Sequence, residues 1–347
     1  MDNAANDGAP SASWREIIPD DEIAQIRDFA EQINRYQKGF AQNGDGQAHR
    51  GFHVKSHAAL GAEFHVMQGV PDFARHGVFR EPHVYPAWVR LTNGFSGTRA
   101  DWSPDLVGCS VKLLGVTGTK LLPDEEHAGT QDFLALNQRY LPAANPAQLM
   151  IISTSAANVL TAPFKLVQGL GLSHALRVML WSLCWSLRRL PLRSVSTEDF
   201  FSAVPITIGP HAVKFTWKSR QTKAPRPPDA TWRNYLRDDL RRRLANGELR
   251  WDFVAQFFVD DAKTPLDGAY AWDTRNAPPV KLAELVIPPC DIETEAAKRA
   301  ERMVNGLSFN PWHAIAEHRP VGNIQRARGM IYQASARYWG RDDEPAA

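Results

Sequence analysis

The feature that most restricts this chain is a series of short strand-like apolar segments, of which 64–67 and 212–217 alternate apolar and polar residues. The segments lie at 64–67, 85–94, 108–116, 132–137, 212–217, 251–258 and 282–287, and most are bounded by Gly, Pro, Asn or Asp. Segments this short, alternating with a period of two, present one face to a core and one to the outside. Turn residues between them return the chain on itself, so the expected product is an antiparallel sheet or barrel. With 347 residues the chain could hold two domains or one barrel with insertions. It has no internal repeat and no long linker, so the reading is a single domain over 19–340, preceded by a disordered tail over 1–18. Within that domain, 19–42 reads as a helical arm. Asp20, Asp21 and Glu22 open a helix that continues with Ile23, Ile26, Phe29, Ile33 and Tyr36 at helical spacing.

The pattern changes between 146 and 195, where Leu, Val and Trp dominate and Lys165, Arg177, Arg188, Arg189 and Arg193 break each apolar run. No run reaches the ~18 residues a membrane-spanning helix needs. The stretch reads as a hydrophobic helical insertion, with 156–192 forming one or two helices packed over the sheet. The cations and bulky apolar groups around Trp181 and Trp185 leave open a second reading, in which 156–192 lies on a membrane surface or meets a lipid-like substrate.

A formal net charge of +2 gives no reason to expect a nucleic-acid partner. Cys109, Cys184 and Cys290 are far apart and form no metal-binding pair, which suits a reducing compartment. The polar, small N-terminus lacks the order of a secretion signal, and the expected location is the cytoplasm. A homodimer is compatible with the sequence but not indicated by it.

Chemistry enters near the C-terminus, in Arg328-Gly329-Met330-Ile331-Tyr332. On a helix, Arg328 and Tyr332 are one turn apart on one face. A guanidinium beside a phenol favours the charged phenolate, which is an oxygen ligand for ferric iron. The same pair also occurs on ordinary amphipathic helices, so other segments must decide. Those are Arg50, His53 and Lys55 as Arg-x-x-His-x-Lys; Val89-Arg90-x-Thr92; Gly108-x-x-x-Lys112; Asn137 closing a strand; Phe309-Asn310-Pro311-Trp312; and Arg328-x-x-x-Tyr332-x-x-x-x-Arg337.

In this order, over about 50–337, the motifs resemble the haem catalase superfamily, and most of all its short bacterial catalase-related branch. The resemblance implies an α+β fold: a catalase-like antiparallel β-barrel of about eight strands with surrounding helices. It also implies haem b as cofactor, with Tyr332 as the axial iron ligand and Arg328 holding it ionised. His53 would be the distal acid–base residue, Thr92 the partner that fixes its tautomer, and Asn137 the group that orients peroxide. Arg50, Arg90 and Arg337 would pair with the haem propionates, and Phe52 would lie against the porphyrin. The activity implied is that of a haem oxidoreductase, a catalase-like peroxidase that reduces hydrogen peroxide or small organic peroxides with a small organic electron donor.

Two departures shape the expectations. The segment after Asn137 reads Gln138-Arg139-Tyr140-Leu141, where the family has Pro and Phe, and the resemblance to the short branch implies a site without the accessory regions of long catalases. Weak dismutation and stronger donor oxidation are therefore expected. One alternative is a fatty-acid hydroperoxide isomerase or lyase on the same scaffold, and another is a non-enzymatic haem-binding protein. His53 and His57 also have the spacing of a zinc protease helix, but the Glu such a site needs is absent and the context reads as strand.

Overall fold

The computed structural model describes residues 10–43, 49–94, 99–103, 105–155, 160–189, 192–223, 233–341 and 344–345. The barrel is built from β1 (Ser56–Val66), β2 (Val84–Asn93), β3 (Val107–Leu114), β4 (Thr130–Leu136), β5 (Phe200–Phe201), β6 (Ile206–Ile208), β7 (His211–Ser219), β8 (Leu249–Phe257) and β9 (Val280–Ile287). Strands neighbour one another in the order β5-β4-β3-β2-β1-β9-β8-β7, and β7 pairs back onto β5. Eight strands thus close a ring, every ladder is antiparallel, and β6 extends the same edge of β7.

Alternation along the strands decides what fills the ring. Trp251, Phe253, Ala255 and Phe257 of β8 are buried while the residues between them are partly exposed. Phe64, Phe133, Phe215, Trp217 and Phe253 meet at the centre, joined by Phe79 from a short turn at one end. The ring centroids of Phe253 and Phe215 lie 5.1 Å apart, stacked, and those of Phe253 and Phe64 5.8 Å apart, edge to face. Each such pair adds roughly 0.5–1.5 kcal/mol beyond the burial itself. The interior is a packed aromatic core, so any ligand site has to lie on the outer face of the sheet.

That outer face is covered by helices. The first, α1 (Glu22–Asn43), packs along the last, α7 (Asn323–Tyr338), and α2 (Pro146–Ser155) rests against both. In the hydrophobic insertion, α2 is followed by the expected pair of helices, a hairpin of α3 (Ala162–Leu170) and α4 (Leu172–Arg189). Gly171, at φ 77°, makes the turn between α3 and α4 in a conformation that favours glycine. The remaining helices are α5 (Tyr235–Asn246) and α6 (Glu295–Gly306), both packed on β1.

The disordered tail expected over 1–18 needs correction for its second half, since 1–9 fall outside the described residues. Residues 10–18 run along the barrel. Ser11 donates its N–H to Phe258 O at 3.0 Å, and Trp14 donates Nε1–H to Pro210 O at 2.8 Å. Glu16 pairs with Arg319 at 2.7 Å and Arg326 at 2.5 Å. A buried carboxylate flanked by two guanidiniums anchors this segment in a way that polar composition alone does not reveal.

Candidate active site

The ladder registers fix what faces outward from β2, β3 and β4. Arg90 pairs with Ser110, and Ser110 with Leu134; one rung on, Thr92 pairs with Gly108, and Gly108 with Leu136. Residues two apart share a face, so these two rungs form a floor on the same side of the sheet. The chain before β1 keeps pairing with the end of β2: Asn93 N–H donates to Lys55 O at 3.0 Å, and His53 N–H to Gly94 O at 3.2 Å. His53 is thereby laid over the floor, at φ 56°, a backbone conformation non-glycine residues seldom adopt. Its Nδ1 lies 2.9 Å from Thr92 Oγ1, so the other ring nitrogen, Nε2, is the one available for exchange with a ligand.

Opposite this floor stands α7. Arg328 donates Nη2–H to Tyr332 Oη at 3.3 Å, its guanidinium carbon is 5.1 Å from the phenol ring centre, and Nη1 donates to Gln325 Oε1 at 3.0 Å. The rotation of α7 is set at Gly329, where a Cβ would stand 2.8 Å from the Trp312 ring. Trp312 donates Nε1–H to Gln325 O at 2.7 Å, and Asn310 donates Nδ2–H to Gly329 O at 3.3 Å. The Phe309–Trp312 motif therefore serves to seat the helix that carries Tyr332.

Floor and helix border one cavity, with about 770 Å³ of empty space that includes the open solvent at its mouth. His53, Phe52, Arg50, Arg90, Arg328 and Tyr332 all line it, with Leu134, Leu136, Phe309 and Ile331 as apolar wall. Ile33 of α1 lines it as well, so the N-terminal arm contributes to the site and not only to packing.

The charge of the lining is one-sided. Among the described residues no Asp or Glu lines the cavity, yet three arginines do. Arg50 donates to the carbonyls of Asn305 (3.0 Å) and Leu307 at the C-terminal end of α6, and lies 4.3 Å over Trp339. Arg90 donates Nε–H to Asn305 Oδ1 at 2.8 Å. Neutral oxygens and a helix C-terminus orient these guanidiniums without cancelling their charge. Burial and the neighbouring Arg90 push the Arg50 pKa well down, and burial takes Arg90 to about 10. Burial, then Arg90, Arg328 and Arg50, lower His53 to about 3, so its imidazole is neutral near pH 7. A pocket this cationic is built for an anion.

Two expected site residues are not brought here. Asn137 follows Leu136 and so takes the opposite parity. Its Oδ1 accepts from Val107 N–H at 3.1 Å and its Nδ2 donates to Glu198 Oε2 at 3.1 Å, away from the cavity lining. Its neighbour Leu136 lines the cavity instead. Arg337 is on the exposed side of α7 and is likewise absent from the cavity wall. The zinc alternative finds no support. His57, the second residue of β1, is fully buried, and its Nε2 lies 2.5 Å from Asn93 Oδ1. Among the described residues, the one trio placed to hold a metal is Asp132, His313 and Glu344, and Lys112 Nζ already fills it, 2.7 Å from each carboxylate.

The sequence matches no protein-family model. It matches no curated protein either. Among solved structures, it superposes on a bacterial catalase with a TM-score of 0.65 at 16% identity, covering 98% of this chain and 65% of that one. A fungal catalase gives 0.65 at 15% identity, with 95% and 65% covered. Catalase A from Saccharomyces cerevisiae gives 0.63 at 14% identity, with 96% and 68% covered. The chain thus spans about two thirds of the length of these structures, and at such identities the likeness is one of architecture. Ring closure, helical cover and strand order agree with it: this chain has the catalase fold.

Proposed function

We propose that this chain is a haem-dependent enzyme that metabolises peroxide, working as a peroxidase with a small organic donor. The observation that carries the proposal is a cavity holding a neutral imidazole, a phenol bonded to a guanidinium, the buried Arg90 and the half-buried Arg50, with no carboxylate among its described lining residues. These residues fit an iron porphyrin. Tyr332, next to Arg328, is an oxygen donor for ferric iron. Arg50 and Arg90 would take the two propionates, which need cations at the edge of an otherwise apolar slot. Phe52, Ile331 and Phe309 would hold the macrocycle by its faces and edge.

Haem bound there supplies the redox-active iron at which a peroxide O–O bond is broken. The chain's own part is proton handling. His53, donating Nδ1–H to Thr92, presents the Nε2 lone pair, which accepts a proton from the peroxide and returns it to the departing oxygen. Arg328 holds the Tyr332 oxygen in place through its Nη2–H bond.

The apolar border at Leu134 and Leu136 favours a second reading, in which the substrate is a bulky fatty-acid hydroperoxide that is rearranged without a donor. Both readings are tested by one set of measurements. Hemin titration should give a one-to-one complex whose ferric phenolate spectrum is altered in Tyr332→Phe. Addition of peroxide should then oxidise an organic donor faster than it releases oxygen. No hemin binding by the folded protein would overturn the proposal. Conversion of a lipid hydroperoxide to an epoxide or aldehyde without donor would select the second reading.

A further inference from the structure

From the α3–α4 hairpin we infer that the protein docks peripherally on an anionic lipid surface. Leu172, Leu176, Leu180, Leu183 and Leu187 of α4 are 53–75% exposed, and Phe164 of α3 is 72% exposed. At 100° per residue the five leucines fall within an arc of about 80°, along ~22 Å of helix. The hairpin does not need them for its own packing, because a separate set, Leu166, Ala175 and Val178, joins the two helices from inside. A helix pair that buries one apolar side and shows a second continuous one to solvent is prepared for an apolar medium.

Charge identifies the medium. Between Asp132 and Glu198 the chain contains no Asp or Glu, while it carries Arg139, Lys165, Arg177, Arg188, Arg189 and Arg193. The whole chain nets only +2, so the excess is local to this element. Lys165 and Arg177 are exposed on the same hairpin as the leucines. Exposed leucines flanked by cations match a helix lying in a headgroup layer that carries negative charge. A second copy of the chain fits less well, since facing hairpins would set like charges together with no acid on either side. No helix among the described residues is long and apolar enough to cross a membrane, so the contact is with the surface.

The hairpin is tied to the cavity through α2. Ile151 packs so closely over Gly169 of α3 that a Cβ there would stand 2.9 Å away, and Met150 of α2 joins Ile33, Phe52 and Ile331. Docking would hold the cavity beside lipid, where a lipid-borne substrate is concentrated. The docking itself does not depend on what the cavity does.

The test is flotation of the full-length purified protein with vesicles of pure phosphatidylcholine, or of phosphatidylcholine with three parts in ten phosphatidylglycerol. Binding to the anionic vesicles should be at least ten-fold stronger. It should weaken in 0.5 M salt and fall at least ten-fold in L176S/L180S/L183S and in K165E/R177E, with melting temperatures unchanged. If one variant misfolds, the other gives the same reading. The inference is overturned if wild type floats with neither vesicle or if both variants bind as wild type does. A dimer that L176S/L180S/L183S converts to monomer, without vesicle binding, would also overturn it and assign the face to a second copy.

Discussion

Gly108 lies directly against the imidazole of His53: a Cβ at this position would stand 2.7 Å from Cε1, 2.8 Å from Nδ1 and 3.2 Å from Thr92 Oγ1. The ring can sit over the sheet, bonded to Thr92, only because β3 has no side chain there. Gly108→Ala should therefore displace His53 while leaving the barrel core intact. Loss of a positioned general acid–base costs ~10²–10⁴ in rate. About a hundred-fold slower reaction with peroxide is expected by stopped flow, with hemin affinity within a few-fold of wild type.

Acid should destabilise the apoprotein well before its carboxylates titrate. Burial is the main cause lowering His57 and His318 to about 4 and His53 to about 3. Each folded-state value is below the unfolded value of ~6.5. Above that pH both states are neutral and stability is full. As pH falls, the unfolded chain takes up protons first, and stability is lost until the folded values are passed. At pH 5 this amounts to roughly 2 kcal/mol for each histidine. His313 opposes the trend: burial and Lys112 disfavour its charge, but Asp132 and Glu344 raise its pKa overall. Urea denaturation at pH 7 and pH 5 should show a lower midpoint at pH 5, and an unchanged midpoint would contradict the burial of these rings.

What the sequence disclosed, and what it hid, follows from the period of the strands. The strand-like segments located six of the seven long strands but only the last three residues of β1, and a core of Phe64, Phe133 and Phe253 gives them a clear inward and outward sorting. The same parity, applied from Phe133, puts Leu134 and Leu136 on the cavity side and Asn137 on the other. Parity is what separates Asn137, bonded to Val107 and Glu198, from Leu136 on the cavity wall. The two-residue β5 and three-residue β6 carry too few residues to show any period, so ring closure was not legible locally. Arg328 and Tyr332 were legible because one helical turn determines their contact. Trp339, which stacks on Arg50, lies seven residues after Tyr332 on the same face and could have been found by that spacing. Arg337, five residues on, could have been set aside by the same count. The buried role of Glu344 gives no local signal at all, since its partners Lys112 and Thr130 are more than two hundred residues away.

Glu344 closes a buried charge network. Its carboxylate takes bonds from Lys112 Nζ at 2.7 and 2.8 Å and from Thr130 Oγ1 at 2.6 Å, and is 2.9 Å from His313 Nδ1. Burial raises its pKa, but Lys112 and His313 outweigh this and hold it far below the usual carboxylate range. Removing one member of a buried pair costs about 3–5 kcal/mol because the other charge is stranded. Glu344→Gln should lose stability of that order at pH 7. The difference from wild type should shrink in strong acid, where the native carboxylate is also protonated. Equal urea midpoints for the two proteins at pH 7 would show that the tail does not dock.

Asn137 and Leu136 make the sharpest separation between packing and chemistry, because they are adjacent and face opposite ways. Asn137→Ala removes the acceptor of Val107 N–H and the donor to Glu198, so it should cost about 1–3 kcal/mol for the groups left unpaired. It should leave peroxide reactivity within about two-fold, measured well below the melting temperature. Leu136→Asn has the converse expectation: it sets an amide on the cavity wall near His53, with little change in the barrel core. Hydrogen-bond donation to a bound peroxide should then raise the rate of its reaction by roughly ten-fold if orientation limits that step. Should Asn137→Ala instead abolish peroxide reactivity in a protein that still folds and binds hemin, the strand parity that turns its amide away from the cavity would not describe the working enzyme.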